Sequence, residues 1–224
     1  MSTNPFAADY RNFRFSKIST PEYRHLKLLL YWPVFFLLFL YVERLSPTTV
    51  YRPMHCALDD MIPFCEYFLI PYLFWFVYLI GMHAYTLLYD IDAFRLLMRF
   101  IIVSYSLSMV IYLLYPTCQE LRPVEFPRDN PFTRFLWYFY QFDTNTNVCP
   151  SLHVVGSVAV WLTSRRISRF QTMGWRFAFG TAAILICLST VFLKQHSVLD
   201  VLAAIPICLV AYTFSFRRRS HVRR

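Results

Sequence analysis

Two histidines and an aspartate have the types and spacing to do chemistry. In "KQHSVLDV" (194–201), His196 precedes Asp200 by four residues. On a helix that spacing puts both side chains on one face, where the carboxylate can hold an imidazole N–H. The tautomer is then fixed, and the other ring nitrogen is left as a nucleophile or base. In "NVCPSLHVV" (147–155), His153 opens a membrane-length apolar segment. An ionisable ring there is costly unless it pairs or faces water, so its position marks a candidate site. Alone, His153 reads as well as a helix cap, and His196 with Asp200 as a structural hydrogen bond. Together at one membrane depth, the three read as a reactive centre.

The elements that must position them are membrane spans. The chain is 57% hydrophobic and 20% aromatic but only 16% charged, well below the charged share of soluble domains, and its mean hydropathy is +0.41. Apolar runs near the length a bilayer requires recur at about 26–43, 63–82, 96–115, 151–164 extended to about 170, 176–193 and 196–216. The expected fold is therefore all-α, an integral bundle of six transmembrane helices. "TSRR" (163–166) interrupts the fourth run, with Arg165 and Arg166 placed to snorkel. The first run follows a basic polar stretch with no small-residue cleavage pattern, so it is expected to stay as an anchor.

A cytoplasmic N-terminus gives the inside segments 16 of the 22 Lys and Arg, leaving Arg44, Arg52, Arg122, Arg128, Arg134 and Lys194 outside. Both termini are thus expected to be cytoplasmic, with His153 and His196 at the outer face. The net charge of +9 then reflects topology and anionic headgroups, and a nucleic-acid partner is excluded. The domain layout is a cytoplasmic tail (1–25), one membrane domain (26–216) and a basic cytoplasmic tail (217–224).

The longest connection, Pro116 to Pro150, exceeds ordinary loop lengths. It contains "PFTRFLWYFYQFD" (131–143), read as a short helix lying in the interface. The six cysteines form no CxxC pair and no zinc-type spacing with histidine, so no metal is expected. Cys118 and Cys149 lie where bridging is chemically possible, although spacing does not define connectivity.

The combination resembles the type 2 phosphatidic acid phosphatase superfamily. Its Pro-Ser-Gly-His motif is represented by Pro150-Ser151-Leu152-His153, with Leu for Gly, a variant similar to that of some bacterial members and of inositol phosphorylceramide synthases. A second family motif, Ser-Arg, five residues, His, three residues, Asp, is represented by Ser189, Thr190, "VFLKQ", His196, "SVL", Asp200. A third, Lys, six residues, Arg-Pro, ends at Arg122-Pro123 but begins with Tyr115. The resemblance covers about residues 96–216, and two family cations are replaced, at Tyr115 and Thr190.

The resemblance implies a metal-independent phosphoric ester hydrolase without a cofactor, acting on a lipid phosphate or pyrophosphate in the cell membrane. In that scheme His196 attacks phosphorus, Asp200 orients it, and His153 protonates the leaving alkoxide. Ser151 and the helix start behind it offer an anion site, with Arg122 and Lys194 left to supply positive charge. A second catalytic reading is a head-group phosphotransferase of the sphingomyelin or inositol phosphorylceramide synthase kind. A third is a transporter or a non-catalytic family member; against transport, Glu66 is the most nearly mid-membrane acid besides Asp200, with no evident intramembrane partner.

Overall fold

A computed structural model describes residues 9–45 and 50–217; the first residues of the N-terminal tail and nearly all of the expected basic C-terminal tail lie outside them. Among the described residues the protein is mostly helical, with five helices long and apolar enough to cross a membrane: Arg24–Arg44, Glu66–Tyr89, Ile91–Leu114, Met173–Phe192 and Val198–Ser215. Their regular α-helical parts are α1 (Tyr31–Leu40), α3 (Leu69–Tyr89), α4 (Ile91–Leu114), α7 (Met173–Phe192) and α8 (Val198–Ser215). Three shorter helices complete the set: α2 (Ala57–Met61), α5 (Pro131–Phe142) and α6 (Leu152–Ser164).

The fourth apolar run does not continue to about 170. The α6 helix stops at Ser164 after 13 residues, about 20 Å at 1.5 Å per residue, against about 30 Å of hydrocarbon. It ends in a tight turn in which the amides of Arg165 and Arg166 both donate to the Thr163 carbonyl and both arginines are exposed. A separate 3-10 turn then spans Ser168–Phe170.

The α4 helix is central because a broad apolar face of it, including Phe94, Leu97, Phe100 and Ile101, is fully buried, with a narrow strip around Arg99, Ser106 and Val110 exposed. It packs against α8, α6 and α3. The α1 and α7 helices are peripheral, with Phe36, Leu37, Phe177 and Ile184 exposed, as expected of faces solvated by lipid tails. Only Asp90 separates α3 from α4, and its side chain caps α4 at the amide of Ala93. The segment before α1 closes under this hairpin, where Tyr10 donates to the carbonyl of Leu87.

The long connection folds as expected around α5. Asn130 caps that helix through the amides of Phe132 and Thr133, with Pro131 at its first position. Leu136 is buried, while Trp137 and Tyr138 on the other face are exposed. Glu66, the acid singled out near the start of the second span, is fully buried, accepts from Asn130 (2.9 Å) and forms an ion pair with Arg128 (3.2 Å). It therefore ties α5 to the start of α3. Residues Arg52–Pro53 (β1) and Thr117–Cys118 (β2) pair in parallel. All six cysteines are free, so Cys118 and Cys149 are not bridged.

Candidate active site

His196 sits in a turn between α7 and α8 that folds back on itself. Lys194 takes a left-handed φ of 56°, and the amides of Gln195 and His196 then both donate to the carbonyl of Thr190. Ser197 caps α8 through the amide of Leu199. Asp200 reaches back one turn, accepting from the Ser197 amide at 2.9 Å and lying 3.2 Å from His196 Nδ1. A carboxylate cannot donate, so Nδ1 carries the hydrogen and Nε2 is left free for chemistry.

His153 stands opposite, in the first turn of α6, with its ring centroid 5.9 Å from that of His196. Tyr72 stacks on it at 4.3 Å and Trp75 lies at 4.4 Å. The turn before it is held from α4, where Tyr112 donates to the carbonyl of Pro150 at 2.6 Å. The two motifs are joined directly, since the Ser151 amide donates to the Asp200 carbonyl at 3.1 Å. Cys149 lies beside Asp200, and burial together with that neighbouring carboxylate pushes its thiol up to about 12.

Both histidines line a cavity of about 690 Å³. Its polar end holds Asp143, Asn147 and Gln195, and its apolar end runs between α1 and α3 past Trp32, Phe36 and Ile80. His83 lies at the far end, about 16 Å along α3 from Tyr72 at 1.5 Å per residue. The cavity thus joins a polar end carrying both histidines to an apolar channel.

The three residues expected to bind an anion are placed differently. Ser151 is fully buried behind the cavity wall, its hydroxyl without a hydrogen-bond partner among the described residues. Lys194 turns away, donating Nζ to the carbonyls of Asp59 (2.6 Å) and Ile62 (2.5 Å). Arg122 is a hub: it donates to the carbonyls of Tyr140, Asp143 and Thr144 and twice to Gln195 Oε1. Its plane also stacks on the Tyr140 ring at 4.4 Å. No Lys or Arg among the described residues lines the cavity.

The sequence pattern did not single out Tyr72, Trp75, Asp143, Gln195 or Asp59. Tyr72 and Trp75 carry a helical signal, three residues apart on the span facing His153, and Gln195 adjoins His196. Asp143 and Asp59 arrive by loop closure, with no local pattern to find them. Gly156 is explained by this packing, since a Cβ there would stand 2.9 Å from both Trp75 Nε1 and the Tyr105 hydroxyl. Gly156→Ala is expected to cost about 1–3 kcal/mol by overpacking and to lower turnover by displacing the indole that supports His153. Thermal unfolding in detergent and a rate assay check both.

Asp59 in α2 locks the His196 turn from outside. It is buried and accepts from the Ser197 hydroxyl (2.6 Å), the Val198 amide (2.8 Å) and the Cys56 amide (2.8 Å). Burial works to raise its pKa, but those hydrogen bonds outweigh it and hold the carboxyl below the usual range. A depressed folded pKa stabilises above the unfolded value and loses that stability as pH falls through the folded one. Asp59→Asn is therefore expected to cost about 1–2 kcal/mol at pH 7. The gap from wild type should close below about pH 4, read by thermal unfolding across pH.

Comparison of the chain with protein-family models, with curated proteins and with solved structures found no match.

Proposed function

We propose that this chain is an integral membrane lipid phosphatase that hydrolyses a lipid phosphate or pyrophosphate through a phosphohistidine at His196. The observation that carries the reading is the convergence of His153 and His196, with Asp200 on His196 Nδ1, at the polar end of a cavity with an apolar channel. Such a cavity can hold a lipid tail in the channel and its phosphate between the two rings.

In the first step Nε2 of His196 attacks phosphorus, the bond to the lipid oxygen breaks, and protonated His153 gives that oxygen its proton. Asp200 keeps the Nδ1 hydrogen in place and offsets the charge on the substituted ring. Water then takes the phosphoryl group from Nε2. Transition-state charge on the equatorial oxygens needs donors. Arg122 acts here through Gln195: by holding Oε1 it sets the amide nitrogen against Asp143 on the cavity wall, with its second N–H left to donate to a phosphate oxygen. The loop charge bias supports reading α6 as a short fourth span and both termini as cytoplasmic, and on that reading this chemistry faces the extracytoplasmic side.

A second reading, head-group transfer to a lipid alcohol, is favoured by the absence of Lys and Arg from the cavity lining among the described residues. Neutral amide donors suit a singly charged phosphodiester better than a dianionic monoester. The test incubates purified protein in detergent, without divalent metal, with phosphatidic acid, undecaprenyl pyrophosphate or phosphatidylinositol, each with and without a lipid alcohol. Released phosphate supports hydrolysis, and a new phosphodiester lipid supports transfer. Neither product, together with a His196→Ala protein that behaves as wild type in cells, ends the enzyme reading. Cysteines placed in the 124–130 loop are expected to label from outside; labelling only from the cytoplasm reverses the orientation.

A further inference from the structure

Asp143 is the one acidic residue on the cavity wall among the described residues, and the proposed chemistry has not used it. It follows α5 directly and is held from two sides. Its Oδ2 accepts from the Tyr72 hydroxyl at 2.9 Å and from Gln195 Nε2 at 3.2 Å. Both partners are themselves fixed. The Tyr72 ring stacks on His153, and Gln195, next in sequence to His196, has its Oε1 clamped twice by Arg122. The carboxylate is therefore built into the same rigid set as both histidines. Its Oδ1 accepts no hydrogen bond within the protein among the described residues.

The charge around Asp143 says what that free oxygen can take. Arg122 is the nearest cation, but its guanidinium is spent on Gln195 and three carbonyls, one of them that of Asp143 itself. A carboxylate repels phosphate oxygens, so it is misplaced as part of a phosphate cradle. It attracts an O–H group, and in a two-step phosphoryl transfer one O–H group must enter the cavity: that of the water or alcohol which accepts the phosphoryl group. Burial raises the Asp143 carboxyl above the usual carboxylate range, against the lowering effects of the Tyr72 hydrogen bond, Arg122 and His196. That direction moves it toward the pKa at which a general base works best near neutral pH.

We infer that Asp143 is a further catalytic residue, the general base that binds and deprotonates the hydroxyl acceptor in the second half of the reaction. The inference rests on the phosphohistidine reading of His196. In this step the acceptor O–H proton passes to Asp143 Oδ1 and the freed oxygen pair forms a bond to phosphorus. The bond from phosphorus to His196 Nε2 breaks, its electron pair returning to the ring while Asp200 retains the Nδ1 hydrogen. Asp143 then releases its proton to solvent at the polar end of the cavity, and His153 takes one up from solvent for the next cycle. His153 as acid and Asp143 as base, linked by Tyr72, divide the two proton transfers between two groups.

The experiment uses the full chain in detergent with a phosphorus-32-labelled lipid phosphate, quenched in alkali to preserve phosphohistidine. Asp143→Asn is expected to lower steady-state turnover about 100-fold, the lower end for general-base loss, while labelled phosphohistidine rises above the wild-type level because only its breakdown is slowed. Asp143→Ala is expected to regain turnover with added formate, which supplies the missing carboxylate. Unchanged turnover in Asp143→Asn, or reduced turnover without a rise in labelled enzyme and without formate rescue of Asp143→Ala, overturns the inference. Wild type that yields product but never a phosphohistidine overturns the underlying reading instead.

Discussion

His196→Ala is expected to abolish labelling of the protein by a phosphorus-32 lipid phosphate and to reduce turnover by about 10⁶-fold, the scale on which a covalent nucleophile is lost. His153→Ala is expected to behave differently. Loss of a general acid costs about 10²–10⁴-fold, and that cost falls when the leaving group needs no proton. With an aryl phosphate, whose leaving oxygen is already stable as an anion, His153→Ala should recover most of its rate and still accumulate phosphohistidine. The geometry supplies the reason for the contrast: only His196 has a carboxylate on Nδ1, while His153 is gripped by the rings of Tyr72 and Trp75. Equal losses in both variants with every leaving group would remove the division of labour between the two rings.

How far these roles could be read beforehand depended on how local their causes are. The pairing of His196 with Asp200, expected from a four-residue spacing on one helix, is present, although His196 lies in the turn before α8 and Asp200 reaches back to it past the Ser197 cap. The α5 helix was legible because its dense run of aromatics is a local signal, while its Asn130 cap was not singled out beforehand. Five of the six apolar runs became membrane-length helices because burial in lipid needs little beyond composition and length. The fourth fell short at Ser164, where "TSRR" interrupts the run and Arg165 and Arg166 turn out exposed instead of carrying the helix onward.

Lys194 illustrates the opposite case. Two residues from His196 it stood as a candidate phosphate ligand, but a left-handed φ at its own position turns the side chain onto the carbonyls of Asp59 and Ile62. Those acceptors come from a segment more than 130 residues earlier. Glu43 makes the same point at the polar rim of the cavity. It accepts from Thr144, Thr146 and Asn147, so the turn that follows α1 fixes the loop that carries Asp143. Loop closures of this range are set by tertiary packing, and no spacing within either segment announces them.

Arg122→Lys is expected to show which role this cation plays. The guanidinium makes five hydrogen bonds, to three carbonyls and twice to Gln195, and it stacks on Tyr140. An ammonium has three donors on one atom and no plane, so it cannot span these acceptors. Losing even one or two charge-assisted bonds, with their buried acceptors left unpaired, costs about 3 kcal/mol. In a chain of this size that corresponds to a fall of about 6–12 °C in Tm, at about 2–4 °C per kcal/mol. Freed from its clamp, Gln195 can turn its amide, and Asp143 loses one of its two donors. Turnover should therefore fall together with stability, while inhibition by inorganic phosphate changes little. If Arg122 held the phosphate directly, the pattern would invert: Tm would be nearly unchanged, and phosphate inhibition would weaken by the 10-fold or more that a lost ionic hydrogen bond implies. Thermal unfolding and phosphate inhibition measured on the same preparation separate a cation that builds the cavity wall from one that binds within it.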